Sequence, residues 1–297
     1  MDDGSVVSAV YRRLRASNLF QRIRSALILL PCVVLLVLWG EWPVSVAVMV
    51  VASLALFELY SVFQAGGFDP RKRTGYFSVV LFVLAAVVGT RTGLELSGSA
   101  LAISIMASLG YEVAYQEREN QLLNWSLTLS GSAYVGWTMA HFVLLRNLDH
   151  PLQGLGAWLQ LEAGAAWIFA VFAITVASDT GAYFVGKQFG RRRMAPYVSP
   201  NKSWEGAIGG SVAALVAGAV SVALLGLPGG VEGGMLLGVA GSAAGQVGDL
   251  AESLIKRQIG VKDSGNLIPG HGGLLDRIDS LLFTVPVVYY LALLLTR

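Results

Sequence analysis

Nine apolar runs, near residues 26–39, 44–64, 76–90, 97–115, 126–146, 164–186, 205–226, 233–255 and 280–296, constrain this 297-residue chain more than any other feature. A helix needs about 20 apolar residues to cross a hydrocarbon core, and fewer where it tilts into protein or is partly re-entrant. Only 13% of the residues are charged and 55% are hydrophobic, whereas a soluble domain carries about 25% charged residues. The chain therefore reads as an all-α, polytopic integral membrane protein with about nine transmembrane helices.

Charge orients the spans, because cytoplasmic loops collect Lys and Arg. Nine crossings with a cytoplasmic N-terminus put all of the 21 basic residues inside except Arg91, Arg146 and Arg297. The inside groups fall at residues 12–24, 71–73, 118, 187–202 and 256–277. The basic start and short first run resemble a signal peptide. No small-residue cleavage site follows, and Glu41, Trp42 and Pro43 lead straight into the next run, so the segment is expected to be retained. The lone Cys32 sits in an apolar run, which excludes an internal disulfide and a cysteine-rich metal site; a metal here must be bound through oxygen.

No periodic repeat or low-complexity tract divides the chain. Residues 1–150 hold few charges within their runs, Glu58 and Glu112 excepted, and read as scaffold helices of one membrane domain. Residues 151–297, whose cytoplasmic loops are rich in ionisable residues and glycine, read as its catalytic part.

The stretch from Ser253 to Asp279 concentrates that chemistry. Asp263, Asp276 and Asp279 can hold a hard cation, while Lys256, Arg257, Lys262 and Arg277 can neutralise phosphate oxygens. Glycines at 260, 265, 270, 272 and 273 let backbone N–H groups approach an anionic ligand closely. Just upstream, Ser242, Gln246, Asp249, Glu252, Ser253 and Lys256 recur at helical spacing and share one face. Such a stripe is costly in a membrane unless it lines a wet cavity or meets partners, and a salt bridge from Asp249 to Lys187 is the plain structural alternative. Asp276 and Asp279, a turn apart at the start of the last helix, suit a helix N-terminus and can also face Asp249 to bind one or two divalent ions. His271, between glycines, is expected to orient the loop or donate to phosphate.

Two earlier segments add to this. In SDTGAYFVGKQFGRRR, Asp179, Tyr183, Gly186 and Lys187 share a face, and the arginines 191–193 suit anionic headgroups. In SPNKSWEG, Ser199 and Pro200 are expected to cap and begin a helix, at whose start Asn201, Lys202 and Ser203 offer donors to an anion. Lys202 is the expected phosphate ligand.

These blocks, DTGAYFVGKQFG, SPNKSWEG and the KR, KD, PGHGG and DRID elements after Ser253, resemble the phosphatidate cytidylyltransferases, also called CDP-diacylglycerol synthases, over most of residues 178–280. The resemblance implies transfer of a cytidylyl group from CTP to phosphatidic acid within membrane lipid. It also implies Mg2+, with a second cation possible, a polar cavity open to the cytoplasm, nine helices and a homodimer. Nucleic acid is not an expected partner, and the location implied is a bacterial cytoplasmic membrane. Asp249 and Asp276 correspond to the family's metal-binding acids. Lys256, Arg257, His271 and Asp279 are the further candidates at the reacting centre. Asp179, Lys187, Asn201, Lys202, Ser203, Ser253, Lys262, Asp263 and Arg277 are the candidates for substrate binding. A CTP-dependent lipid kinase of the polyprenol type and a cation-coupled transporter are the alternatives.

Overall fold

The computed structural model describes residues 30–115, 120–265 and 272–296. Helices follow the apolar runs and extend past them into the polar segments. They are α1 (Leu30–Trp39), α2 (Glu41–Ala65), α3 (Lys72–Thr92), α4 (Ser97–Tyr115), α5 (Gln121–Ser132) and α6 (Thr138–Arg146). Then come the short α7 (Gly154–Trp158), α8 (Ala163–Phe189), α9 (Trp204–Leu225), α10 (Gly230–Ile259) and α11 (Leu275–Leu295). A π-helical turn, Ala133–Trp137, joins α5 to α6 without a break. Among the described residues, α2, α3, α8, α9 and α11 are long and apolar enough to cross a membrane. The other apolar runs lie in α1, α4, the rod from α5 to α6, and α10, which are shorter or less apolar.

α9 shows how the sequence suits lipid. Ile208, Val212, Val216, Val220 and Leu224 recur every four residues and point outward, Ile208 at 63% exposure. Gly206, Gly210, Ala214 and Gly218, on the opposite face, are buried. A water-soluble helix does the reverse; in lipid, small residues bring helix backbones together while large apolar ones face the acyl chains.

α2, α3 and the α5–α6 rod pack around Tyr60, Phe82 and Leu59, and the Tyr60 hydroxyl donates to the Thr128 carbonyl at 2.7 Å. Glu112, one of the two acids within the first-half runs, is a structural partner: Arg71 Nε donates to its Oε1 at 2.9 Å, and both side chains are buried. In the second half α8 packs along α9, α9 along α10 and α10 along α11, which returns to meet α6, α8 and α2.

Between α8 and α9 the chain forms an antiparallel hairpin, β1 (Arg193–Ala195) and β2 (Ser199–Ser203), with Arg193 opposite Ser203 and Ala195 opposite Ser199. This corrects the expectation that Ser199 and Pro200 begin a helix. Both are extended in β2, where an edge position tolerates a proline that cannot donate. The helix starts instead at Trp204, capped by Ser203, whose Oγ accepts the Gly206 N–H at 3.2 Å.

Candidate active site

α10 places its polar face against α8, α9 and α11. At its middle, Ser242 and Ser178 of α8 share a hydrogen bond of 2.7 Å, and Gln246 Nε2 donates to Ser242 Oγ at 3.0 Å and to the Ala207 carbonyl of α9 at 3.1 Å. These partners satisfy polar groups that would be costly in lipid. The seam leads toward the end of α10, where charge begins.

Asp249 Oδ2 lies 2.6 Å from Lys202 Nζ, so β2 delivers the ammonium that the hairpin register and the Ser203 cap fix in place. Asp179 of α8 and Asp279 of α11 are within electrostatic reach of Asp249 and of Lys202. Asp279 Oδ1 also accepts the Ser280 N–H at 2.6 Å. One ion pair thus has carboxylates of two further helices in its neighbourhood.

Two turns beyond Asp249 on α10, Lys256 Nζ bridges Glu252 Oε2 and Asp276 Oδ1, both at 2.5 Å. The Asp276 carboxylate also accepts the N–H groups of Gly273 at 2.9 Å and Ser264 at 3.2 Å. Antiparallel packing explains the pairing. Gly245 meets Thr284 and Ser280, and Gly248 meets the Asp279 carbonyl and Phe283, so position 249 is level with 279 and 252 with 276, to which the Lys256 side chain reaches back from the next turn. Asp249 and Asp276, expected to face each other, are offset by about one turn. Among the described residues no three His, Cys, Asp or Glu side chains stand together closely enough to enclose one metal ion. The donor type nevertheless fits one: Asp249, with Asp179 and Asp279 within electrostatic reach, offers the oxygen donors that suit a hard divalent cation.

The remaining candidates are more dispersed. Lys187 is not the partner of Asp249; its Nζ stands 5.7 Å from the centre of the Tyr183 ring and is exposed. Arg257 donates to the Val198 carbonyl at 3.4 Å and ties the hairpin to α10. Asn201 is exposed on β2, where its carbonyl accepts from Arg193. Ser203 is occupied as a cap. Ser253 is half-buried on α10, and Lys262, Asp263 and Arg277 are exposed around the α10–α11 connection. His271 and Asn266 lie outside the described residues.

Three residues escaped the sequence reading as parts of the site. Glu205 accepts the Arg191 and Arg192 N–H groups at 3.0 and 3.2 Å, shaping the arginine segment. Tyr134 sits in the π-helical turn, its ring 6.0 Å from that of Phe283 and its buried hydroxyl without a partner among the described residues. It lies within reach of the charges of Asp249, Glu252 and Asp279. No sequence period reveals a π turn, so Tyr134 carried no signal. Glu58, 2% exposed on α2, accepts the Leu275 N–H at the start of α11 at 2.8 Å. Its signal was a carboxylate in an otherwise apolar run.

The sequence pattern of the cytidylyltransferase family matches residues 20–295. The chain belongs to that family. Among its relatives in the cytidylyltransferase family, the phosphatidate cytidylyltransferase of Synechocystis is 34% identical, the alignment covering 93% of this chain and 97% of the relative. That of Bacillus subtilis is 33% identical over 91% of this chain and 96% of its own. That of Haemophilus influenzae reaches 49% identity over 132 residues, 43% of this chain and 46% of the relative.

Proposed function

We propose that the protein transfers the cytidylyl group of CTP to phosphatidic acid, giving CDP-diacylglycerol and pyrophosphate. The observation that carries this reading is the meeting of acids and lysines from α8, β2, α10 and α11 at one end of the helices, in a chain that matches the cytidylyltransferase family over residues 20–295.

The reaction asks little proton chemistry of the protein. A phosphate monoester has its second pKa at about 6, so the attacking oxygen of phosphatidate is largely ionised at neutral pH. That oxygen forms a bond to the α-phosphorus of CTP as the bond from that phosphorus to the bridging oxygen breaks, and pyrophosphate leaves with the electron pair. Two polyanions must be held in line and their charge neutralised. Lys202 and Lys256 are placed for this by Asp249 on one side and by Glu252 and Asp276 on the other. Arg257, Arg277 and Lys262 ring the same end and supply further positive charge. Asp249, with Asp179 and Asp279 within electrostatic reach, would hold Mg2+, which when bound supplies charge neutralisation on phosphate oxygens, while Asp276 stays with Lys256.

In this reading nine crossings put the site at the inner leaflet. CTP reaches it from the cytoplasm, and phosphatidate reaches it laterally, because drawing its acyl chains into water costs about 0.8 kcal/mol per CH₂. Residues 151–297 carry the chemistry and residues 1–150 support them.

Purified full-length protein in detergent, given phosphatidate, Mg2+ and CTP labelled at the α-phosphate, should yield labelled CDP-diacylglycerol. Label appearing in lipid only when CTP carries it at the γ-phosphate would replace this reading with a lipid kinase. No lipid product from either would remove both.

A further inference from the structure

The α10–α11 connection is held to the site by a side chain from the other half of the molecule. α11 has no side-chain cap of its own: Leu274 occupies the capping position with helical φ and ψ of −67° and −39°. Its first N–H, that of Leu275, donates instead to Glu58 Oε2 at 2.8 Å, across 217 positions of sequence. A carboxylate there also suits the positive end of the helix dipole.

The same carboxylate gathers the two described ends of the connection, at residues 264–265 and 273–275. Ser264 donates its Oγ hydrogen to Glu58 Oε2 at 3.3 Å and its N–H to Asp276 Oδ2 at 3.2 Å, so one residue spans the two acids. Gly265 and Gly273 flank Glu58. A Cβ on Gly265 would stand 2.6 Å from Glu58 Oε1, and one on Gly273 would stand 2.0 Å from Ser264 Oγ and 2.8 Å from Glu58 Oε2. Two of the glycines that the sequence suggested for an external anion are therefore accounted for by an internal one. Gly273 passes its N–H to Asp276, which holds Lys256.

We propose that Glu58 is a positioning residue: through Ser264, Gly273 and Leu275 it sets where Asp276 and Lys256 stand for substrate. This rests on the cytidylyl-transfer reading, since the Asp276 and Lys256 pair is the part of that site it holds. Glu58 itself is 2% exposed and reaches the site through Ser264 and Leu275.

The test compares Glu58→Gln, which keeps shape and an acceptor but no charge, with Glu58→Ala, using full-length protein in detergent. Changes in residues that orient a site's ligands typically cost about 10–100-fold. Glu58→Ala should lose kcat in that range with KM for CTP changed far less, Glu58→Gln should recover part of it, and amide hydrogen exchange at Leu275 should quicken in the same order. If Glu58→Ala does not fold, Glu58→Gln alone decides. A folded Glu58→Gln with wild-type kcat, or with unchanged exchange at Leu275, overturns the proposal. Should the wild-type protein make no CDP-lipid, the functional reading falls, and exchange at Leu275 still judges whether Glu58 holds the start of α11.

Discussion

Between α2 and α6 the helices meet through large side chains, with Tyr60, Phe82, Leu56 and Leu145 fully enclosed. Between α8 and α11 they meet through glycine, alanine and serine: a Cβ on Gly238 of α10 would lie 2.2 Å from the Ala214 carbonyl of α9, and Ser178 touches Ser242. Large side chains fix the spacing of helices and fill it with apolar volume. Small ones bring backbones together and leave polar side chains as the only groups long enough to span the seam. The first arrangement makes a frame, and the second makes room for carboxylates and lysines on adjoining helices.

Substitutions can break that contrast or sharpen it. The largest effect is expected at Asp249→Asn, which removes the acid paired with Lys202. Turnover should fall by about 1,000-fold or more with the thermal unfolding midpoint little changed, as read by CDP-lipid formation and a melting curve. Near-normal activity would take the carboxylate cluster out of the reaction.

Phe82→Ala and Gly238→Val form a matched pair of packing changes, one in each half. Emptying the Phe82 site should cost about 3–5 kcal/mol of stability and leave kcat of the folded protein unchanged. Wedging α9 from α10 at Gly238 should cost about 1–3 kcal/mol and lower kcat as well, because α10 carries Asp249 and Lys256. Denaturant melts in detergent beside kinetics separate the two. Equal effects on kcat would erase the distinction between frame and site.

Lys202→Ala should act least. It leaves Asp249 without its ammonium and takes one positive charge from the proposed site. KM for CTP should rise about tenfold, the scale of one charge-assisted hydrogen bond, with KM for phosphatidate as the comparison. No rise in either would mean that Lys202 serves only to hold the hairpin.

The sequence made the helices legible because lipid imposes a length and an apolar composition that few other environments demand. Two ends were legible from polar residues rather than apolar ones: Lys256 continues the helical face of α10 and Asp276 stands at the start of α11, since helical hydrogen bonds do not stop where hydrocarbon does. The 193–203 hairpin went unseen because Ser199 and Pro200 look like a helix start until Arg193 and Ala195 pair with their strand. At the site, residue types identified the acids and lysines, but their partners depend on register. Asp249 meets Lys202 rather than Lys187, and Asp276 meets Lys256 a turn away from Asp249. Glu58 was visible as an acid in an apolar run, yet only the fold shows that it belongs to a loop more than 200 positions downstream.

The bond from Leu275 to Glu58 joins α2 to α11. A ribosome releases residue 58 long before residue 275, and domains take shape as they emerge, N-terminal part first. Throughout that interval the α2 carboxylate has neither Ser264 nor Leu275 to answer it. Competence therefore arrives late in biogenesis, once α11 is inserted, and a translation product stopped anywhere before α11 is an idle membrane protein rather than a slow enzyme.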